Sequence, residues 1–261
     1  MRSSVLLLVF VQLAVLTSIN GQVSWESWNA AQLRVSISKK LDIRVSHMRA
    51  FDISNGLKAD FNQTALQAGY ELNRKWEITA GFIKGGSSTL TDGSSRVTAR
   101  IGYKIRLAKV VNWSNSIQGE IHSAKETRYH NRIIWTSRLA PRKRLDFLKL
   151  LPSVSYALFY NIGGNPIQYY DAKTSLPVVK QTPDGFHRGR FMLNLNSKIT
   201  SHLSISMYYM AQREFNLFSS DYRRMNIVKP TTGRIVRAFD EYNIAGMTLT
   251  YDINLYTSNK K

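Results

Sequence analysis

The chain has 261 residues, 43% of them hydrophobic, no cysteine and a formal net charge of +19. Without cysteine there can be neither a disulfide framework nor a thiolate metal site, and the length suits one large β domain. So basic a cytosolic chain would read as nucleic-acid-binding. Export removes nucleic acid as a partner and turns the charge toward lipopolysaccharide phosphates, or toward anionic solutes and carboxylates inside a lumen.

Export is read from residues 1–21. Arg2 is the charged start, Val5 to Val15 the apolar centre, and Thr17 to Gly21 a small-residue cleavage region, the three parts of a signal peptide. Residues 22–261 then form the exported domain. No second apolar run in it is long enough to cross a membrane as a helix. It consists instead of short segments that alternate apolar and polar residues, the pattern of a bacterial outer-membrane β-barrel whose strands face lipid on one side and a polar interior on the other.

In chain order, Leu33, Val35 and Ile37 alternate with Arg34, Ser36 and Ser38, and Leu41, Ile43 and Val45 with Asp42, Arg44 and Ser46. A second pair carries Leu66, Ala68, Tyr70 and Leu72, then Trp76, Ile78, Ala80 and Phe82. The fifth strand is the clearest, with Val97, Ala99, Ile101, Tyr103 and Ile105 opposed by Arg96, Thr98, Arg100, Gly102, Lys104 and Arg106. Further strands carry Ile117 to Ile121, Ile133 to Leu139, Leu148 to Tyr160, Phe191 to Ile199, Leu203 to Tyr209, and a last one within Tyr242 to Tyr256.

Tight turns are expected near residues 39, 74, 108, 142 and 201, and long connections at 51–60, 85–95, 123–130, 161–187 and 216–240. Short periplasmic turns and long external loops are the rule for this class. The count is eleven, and an even number is usual. A twelfth strand within Gln22 to Ala30 is the favoured remedy; a segment bearing Trp25 and Trp28 that threads the lumen, or ten strands after a merger, are the others. An exported β-sandwich alternates too. Tyr70, Trp76, Tyr156, Tyr160, Tyr209, Tyr251 and Tyr256, near strand ends, favour the membrane, where amphipathic rings collect at the interfaces.

The chain also resembles an uncharacterised family of Bacteroidetes outer-membrane proteins, a domain of unknown function. The resemblance rests on Trp28, on Lys39-Lys40-Leu41-Asp42-Ile43-Arg44 and Arg49, and on Tyr103-Lys104-Ile105-Arg106. Arg132 to Arg138, Arg188-Gly189-Arg190 and Leu203 to Arg213 complete it. It implies a barrel and the outer membrane, and it supplies no ligand or activity.

Lys or Arg facing lipid at the midplane costs roughly 2–4 kcal/mol, so Arg96, Arg100, Lys104, Arg106, Arg132, Arg138, Arg190 and Lys198 are expected on the lumen face. Their acidic partners are expected to be Glu71, Glu77 and Glu120, because buried charges need compensation. With such pairing the barrel is plugged and structural; with bases to spare it binds or passes small anionic solutes. A surface-binding barrel is the alternative, acting through loops 161–187, with Tyr169, Tyr170 and Phe186, and 216–240, with Arg223, Arg224, Lys229, Arg234 and Arg237. A lipid-modifying enzyme would need a nucleophile beside a base. His47, His122, His130, His187 and His202 lie near Ser46, Ser123 and Ser201, but no nucleophile motif, phosphate loop or metal spacing accompanies them. No enzyme activity and no cofactor are expected.

Overall fold

The computed structural model describes residues 24–54, 56–87, 93–107, 110–126, 129–163, 167–170, 174–181, 184–214, 227–228, 235–236 and 241–256. The expected signal peptide lies outside them, as do all five basic residues named above for the 216–240 connection.

Eleven strands close into a barrel: β1 (Ser24–Ser36), β2 (Leu41–Asp52), β3 (Lys58–Glu71), β4 (Trp76–Ser87), β5 (Ser95–Leu107), β6 (Val111–His122), β7 (Asn131–Pro141), β8 (Leu150–Ile162), β11 (Gly185–Lys198), β12 (Leu203–Glu214) and β15 (Tyr242–Asn254). Two small hairpins stand apart, β9 (Ile167–Tyr170) with β10 (Pro177–Gln181), and β13 (Ile227–Val228) with β14 (Ile235–Val236). Both fall within the connections expected to be long. The wall is a meander of antiparallel neighbours until the ends meet, where β1 and β15 run parallel from Ser24↔Tyr242 to Ser36↔Asn254. An up-and-down circuit with an odd number of strands must contain one parallel pair, so this seam follows from the count.

Eleven lies within the expected ten to twelve, and among the described residues the segment favoured for a twelfth strand is part of β1. Residues 24–30 continue directly into the Leu33 alternation as the upper half of β1, and they neither form their own strand nor thread the interior. Two connections also differ from expectation. That at 51–60 shrinks to residues 53–57, because the alternation of β2 and β3 runs on to Asp52 and from Lys58. The turn near 142 spans 142–149 and contains a 3-10 turn at Phe147–Lys149, where Leu148 takes a positive φ of 49°.

Side-chain period assigns the two faces. Leu66, Phe82, Val97, Ile101, Ile117, Ile121, Ile133, Leu193, Met207 and Leu249 all point outward and are exposed. An exposed apolar wall around the barrel is a surface for hydrocarbon, and closure leaves no strand edge with unpaired backbone groups inside it. Rings border this wall. Trp76 and Tyr103 pack at 4.5 Å near the short turns, and Trp25 and Tyr209 at 6.1 Å near the long connections.

The interior is two-sided. Beside the seam, Trp28, Ala50, Met210 and Ile244 are buried together, with Met48, Phe61, Met192, Tyr208 and Tyr242 packed on them. Facing them, β4 to β7 present Glu77, Thr79, Arg96, Thr98, Arg100, Gln118, Glu120 and Arg132.

Candidate functional site in the lumen

The expected basic residues share the inner face by strand parity, but at different heights. Nearest the long connections, Arg132 on β7 stands directly across from Glu120 on β6. Its Nε and Nη2 both donate to one carboxylate oxygen, at 2.9 and 2.6 Å, and Nη1 donates to the Tyr129 hydroxyl at 2.9 Å. Glu120 also accepts from Gln118 at 2.7 Å, lies 3.1 Å from His122 Nε2, and has Arg96 Nε at 3.6 Å. Its side chain is only 2% exposed. One carboxylate thus serves two arginines, and such a buried charge persists only because it is fully hydrogen-bonded.

Arg190 on β11 is held differently. Its Nε donates to Gln212 at 2.7 Å and its Nη2 to the Tyr242 hydroxyl at 3.4 Å, both neutral partners. The guanidinium carbon lies 4.9 Å from the centre of the Phe159 ring and 5.6 Å from that of Trp28. Arg132 lies 5.2 Å from the same Phe159 ring and 5.1 Å from Tyr129. A stack therefore runs Tyr129, Arg132, Phe159, Arg190, Trp28. Cation–π attraction is worth about 2 kcal/mol or more where water is excluded. Arg132, Phe159 and Arg190 follow one another along the neighbouring strands β7, β8 and β11, and the last step, from Arg190 to Trp28 on β1, passes over β12 and β15.

Nearer the short turns, Arg100 donates to Glu77 at 2.8 Å and to Thr79 at 3.3 Å. Arg138, Lys104, Arg106 and Lys198 are exposed and make no ion pair among the described residues. Of the three expected acids, Glu120 and Glu77 meet arginines. Glu71 does not: it sits exposed at the short-turn rim, across from Glu77, and closes no pair with the basic wall.

Several residues of the site were not expected. Arg34 bonds Asp252 at 2.7 Å across the seam, and Arg44 takes Asp42 with both Nε and Nη2. Phe159 and Gln212 were missed as well, although an aromatic at an inward position, among Ser153, Ser155, Ala157 and Asn161, is a visible signal. The serine–histidine neighbours do not become pairs. Ser46 and His47 point to opposite faces of β2, His47 meeting Thr64 at 2.9 Å, and Ser123 Oγ accepts from the Ser95 amide at 3.1 Å. The side chain of His187, with Tyr169 and Tyr170, lies outside the described residues.

Above the stack, toward the long connections, a cavity of about 650 Å³ opens between Trp28, Phe61, Arg96, Tyr129, Arg132 and Arg190, with Lys125, Asp60 and Glu126 also on its walls.

Among solved structures, the NanC porin is similar over 71% of this chain and 85% of its own, at 10% identity and a TM-score of 0.47. A substituted form of OccD1 (OprD) is similar over 69% and 48%, at 14% identity and a TM-score of 0.31. No curated protein matches the sequence. A match over residues 25–223, which take in β1 to β12, is to the family described as protein of unknown function (DUF2490), and the chain belongs to that family.

Proposed function

We propose that this chain is a bacterial outer-membrane barrel that admits small anionic solutes through a basic lumen, and that it is not an enzyme. The observation that carries this reading is Arg190, a cation held on the inner wall by Gln212, Tyr242 and two aromatic rings, with no carboxylate among its partners in the described residues. A structural plug needs neutralised charges. Here Glu120 is shared between Arg96 and Arg132, and Arg138, Lys104, Arg106 and Lys198 stand exposed lower down. An interior of this kind favours anions as charged rings do in other pores.

The strand number restricts size. Eight strands enclose only side chains and sixteen or more leave a wide channel, so eleven, narrowed by the stack, suit small solutes. Membrane lipid is the partner of the apolar outer wall, and lipopolysaccharide phosphates are partners for the charge near the long connections.

Planar-bilayer recording of the refolded chain tests the reading. Conductance steps are expected, with a reversal potential in a salt gradient that shows anion preference, reduced in the Arg100→Gln, Lys104→Gln double variant. A barrel that gives no steps, or passes cations as readily, overturns the proposal.

A further inference from the structure

We infer that the 650 Å³ cavity is a binding site for a small organic anion in which a carboxylate is attached to a ring. This rests on the reading of the lumen as an anion path and names the solute class for its upper half. The volume falls within the range of sites for organic ligands, about 300–1,000 Å³, and far exceeds what an inorganic ion fills.

Two arginines on its walls keep donors to spare. Arg190 uses Nε and Nη2, leaving Nη1 without a partner among the described residues. Arg96 spends Nη2 on Gln63 at 2.9 Å and turns its Nε to Glu120 at 3.6 Å, leaving Nη1 without a partner among the described residues. Arg132, by contrast, has all three nitrogens engaged by Glu120 and Tyr129. The lining is net positive: Arg96, Lys125, Arg132 and Arg190 face Asp60 and Glu126 at the rim, with Glu120 bound beneath Arg132. A solute carboxylate that reaches the spare donors of Arg190 and Arg96 gains charge-assisted hydrogen bonds away from bulk water.

Aromatic rings form part of the remaining wall, beside Met48, Gln63, Ser94 and the Gly85-Gly86 backbone. Trp28 meets Phe61 edge-on at 5.2 Å and Tyr242 at 5.9 Å, and Tyr129 stands edge-on to His122 at 4.9 Å. Trp28, Phe61 and Tyr129 give a ring a surface that an acyclic acid cannot use. Fixed cations and flat apolar walls in one cavity select for both features in the ligand.

The test is calorimetric titration of the refolded full chain in detergent with benzoate, acetate and benzyl alcohol. Benzoate is expected to bind at least tenfold more tightly than acetate, and benzyl alcohol not measurably. Arg190→Gln is expected to weaken benzoate at least tenfold, and Arg96→Gln is the second variant should the first fail to refold. Lys40→Gln, in the exposed turn between β1 and β2, is expected to leave the affinity unchanged. Equal binding of acetate and benzoate, or full affinity in both upper variants, overturns the inference. Anion-selective conductance without benzoate affinity would leave the channel reading standing and remove the site, and affinity without conductance would do the reverse.

Discussion

Gly246, in the middle of β15, is the position where the seam is most exposed to perturbation. It pairs with Tyr208 on one side and with Trp28 on the other. The Tyr208 ring lies across the glycine and its hydroxyl donates to the Trp28 carbonyl at 3.3 Å, so one side chain on β12 bridges β15 to reach β1. A Cβ at residue 246 would stand under 3.0 Å from the ring and hydroxyl of Tyr208, so in Gly246→Ala the ring must leave. Overpacking costs about 1–3 kcal/mol, and losing the hydrogen bond about 0.5–1.5 kcal/mol; together the loss is about 2–4 kcal/mol. With Tyr208→Ala the obstacle is gone, and alanine in place of glycine within a strand gains roughly 0.5–1 kcal/mol. Guanidinium unfolding of the refolded barrel in vesicles, followed by tryptophan emission, measures both backgrounds. A loss for Gly246→Ala that is the same with and without Tyr208 would refute the bridge.

Three further outcomes are expected. Glu120→Gln strips two arginines of their shared carboxylate, which should cost about 3–5 kcal/mol in unfolding and raise anion preference in bilayers; lower anion preference would contradict it. Arg34→Gln breaks the Arg34–Asp252 pair, but the Arg34 side chain is 42% exposed, so the unfolding free energy should change by no more than about 1 kcal/mol. Ile101→Arg sits at the centre of β5 on the outer wall and should cost roughly 2–4 kcal/mol in vesicles, whereas Arg100→Ala, one residue away on the inner face, should not show this lipid-dependent loss. An Ile101→Arg variant as stable in lipid as the parent would refute the assignment of that face.

The two faces of each strand were legible because they have different solvents. On β5, Val97 to Ile105 and Arg96 to Arg106 separate cleanly under a period of two, and the inward position of Arg100 and Lys104 needs no knowledge of any other strand. Ion pairs along one strand are readable in the same way, Arg44 with Asp42 being two residues apart on one face. Which carboxylate meets which arginine across strands depends on register. Arg132 stands opposite Glu120 only because the 123–130 connection brings β7 back at that offset, and Glu71 lost its expected role because β3 and β4 place it beside another acid at the rim. The stack was illegible for a further reason: Phe159 and Arg190 meet because β8 and β11, far apart in the chain, become neighbours, and Trp28 on β1 reaches Arg190 only after the barrel closes.

The strand count was also present in the alternation, and the error lay in imposing an even number on it. β1 and β15 alternate like their antiparallel neighbours, whereas parallel strands buried on both faces read as continuous apolar runs. The barrel wall faces lipid and lumen in any pairing mode, so alternation carries no information on strand direction. What marks the seam is local. An interior glycine in a strand signals close approach by another group, and Gly246 is overlaid by Tyr208, whose hydroxyl reaches Trp28. A parallel ladder is slightly weaker per residue than an antiparallel one, and this one carries additional ties at two heights, Tyr208 to Trp28 and Arg34 to Asp252. The seam therefore draws on side chains whose meaning appears only after closure.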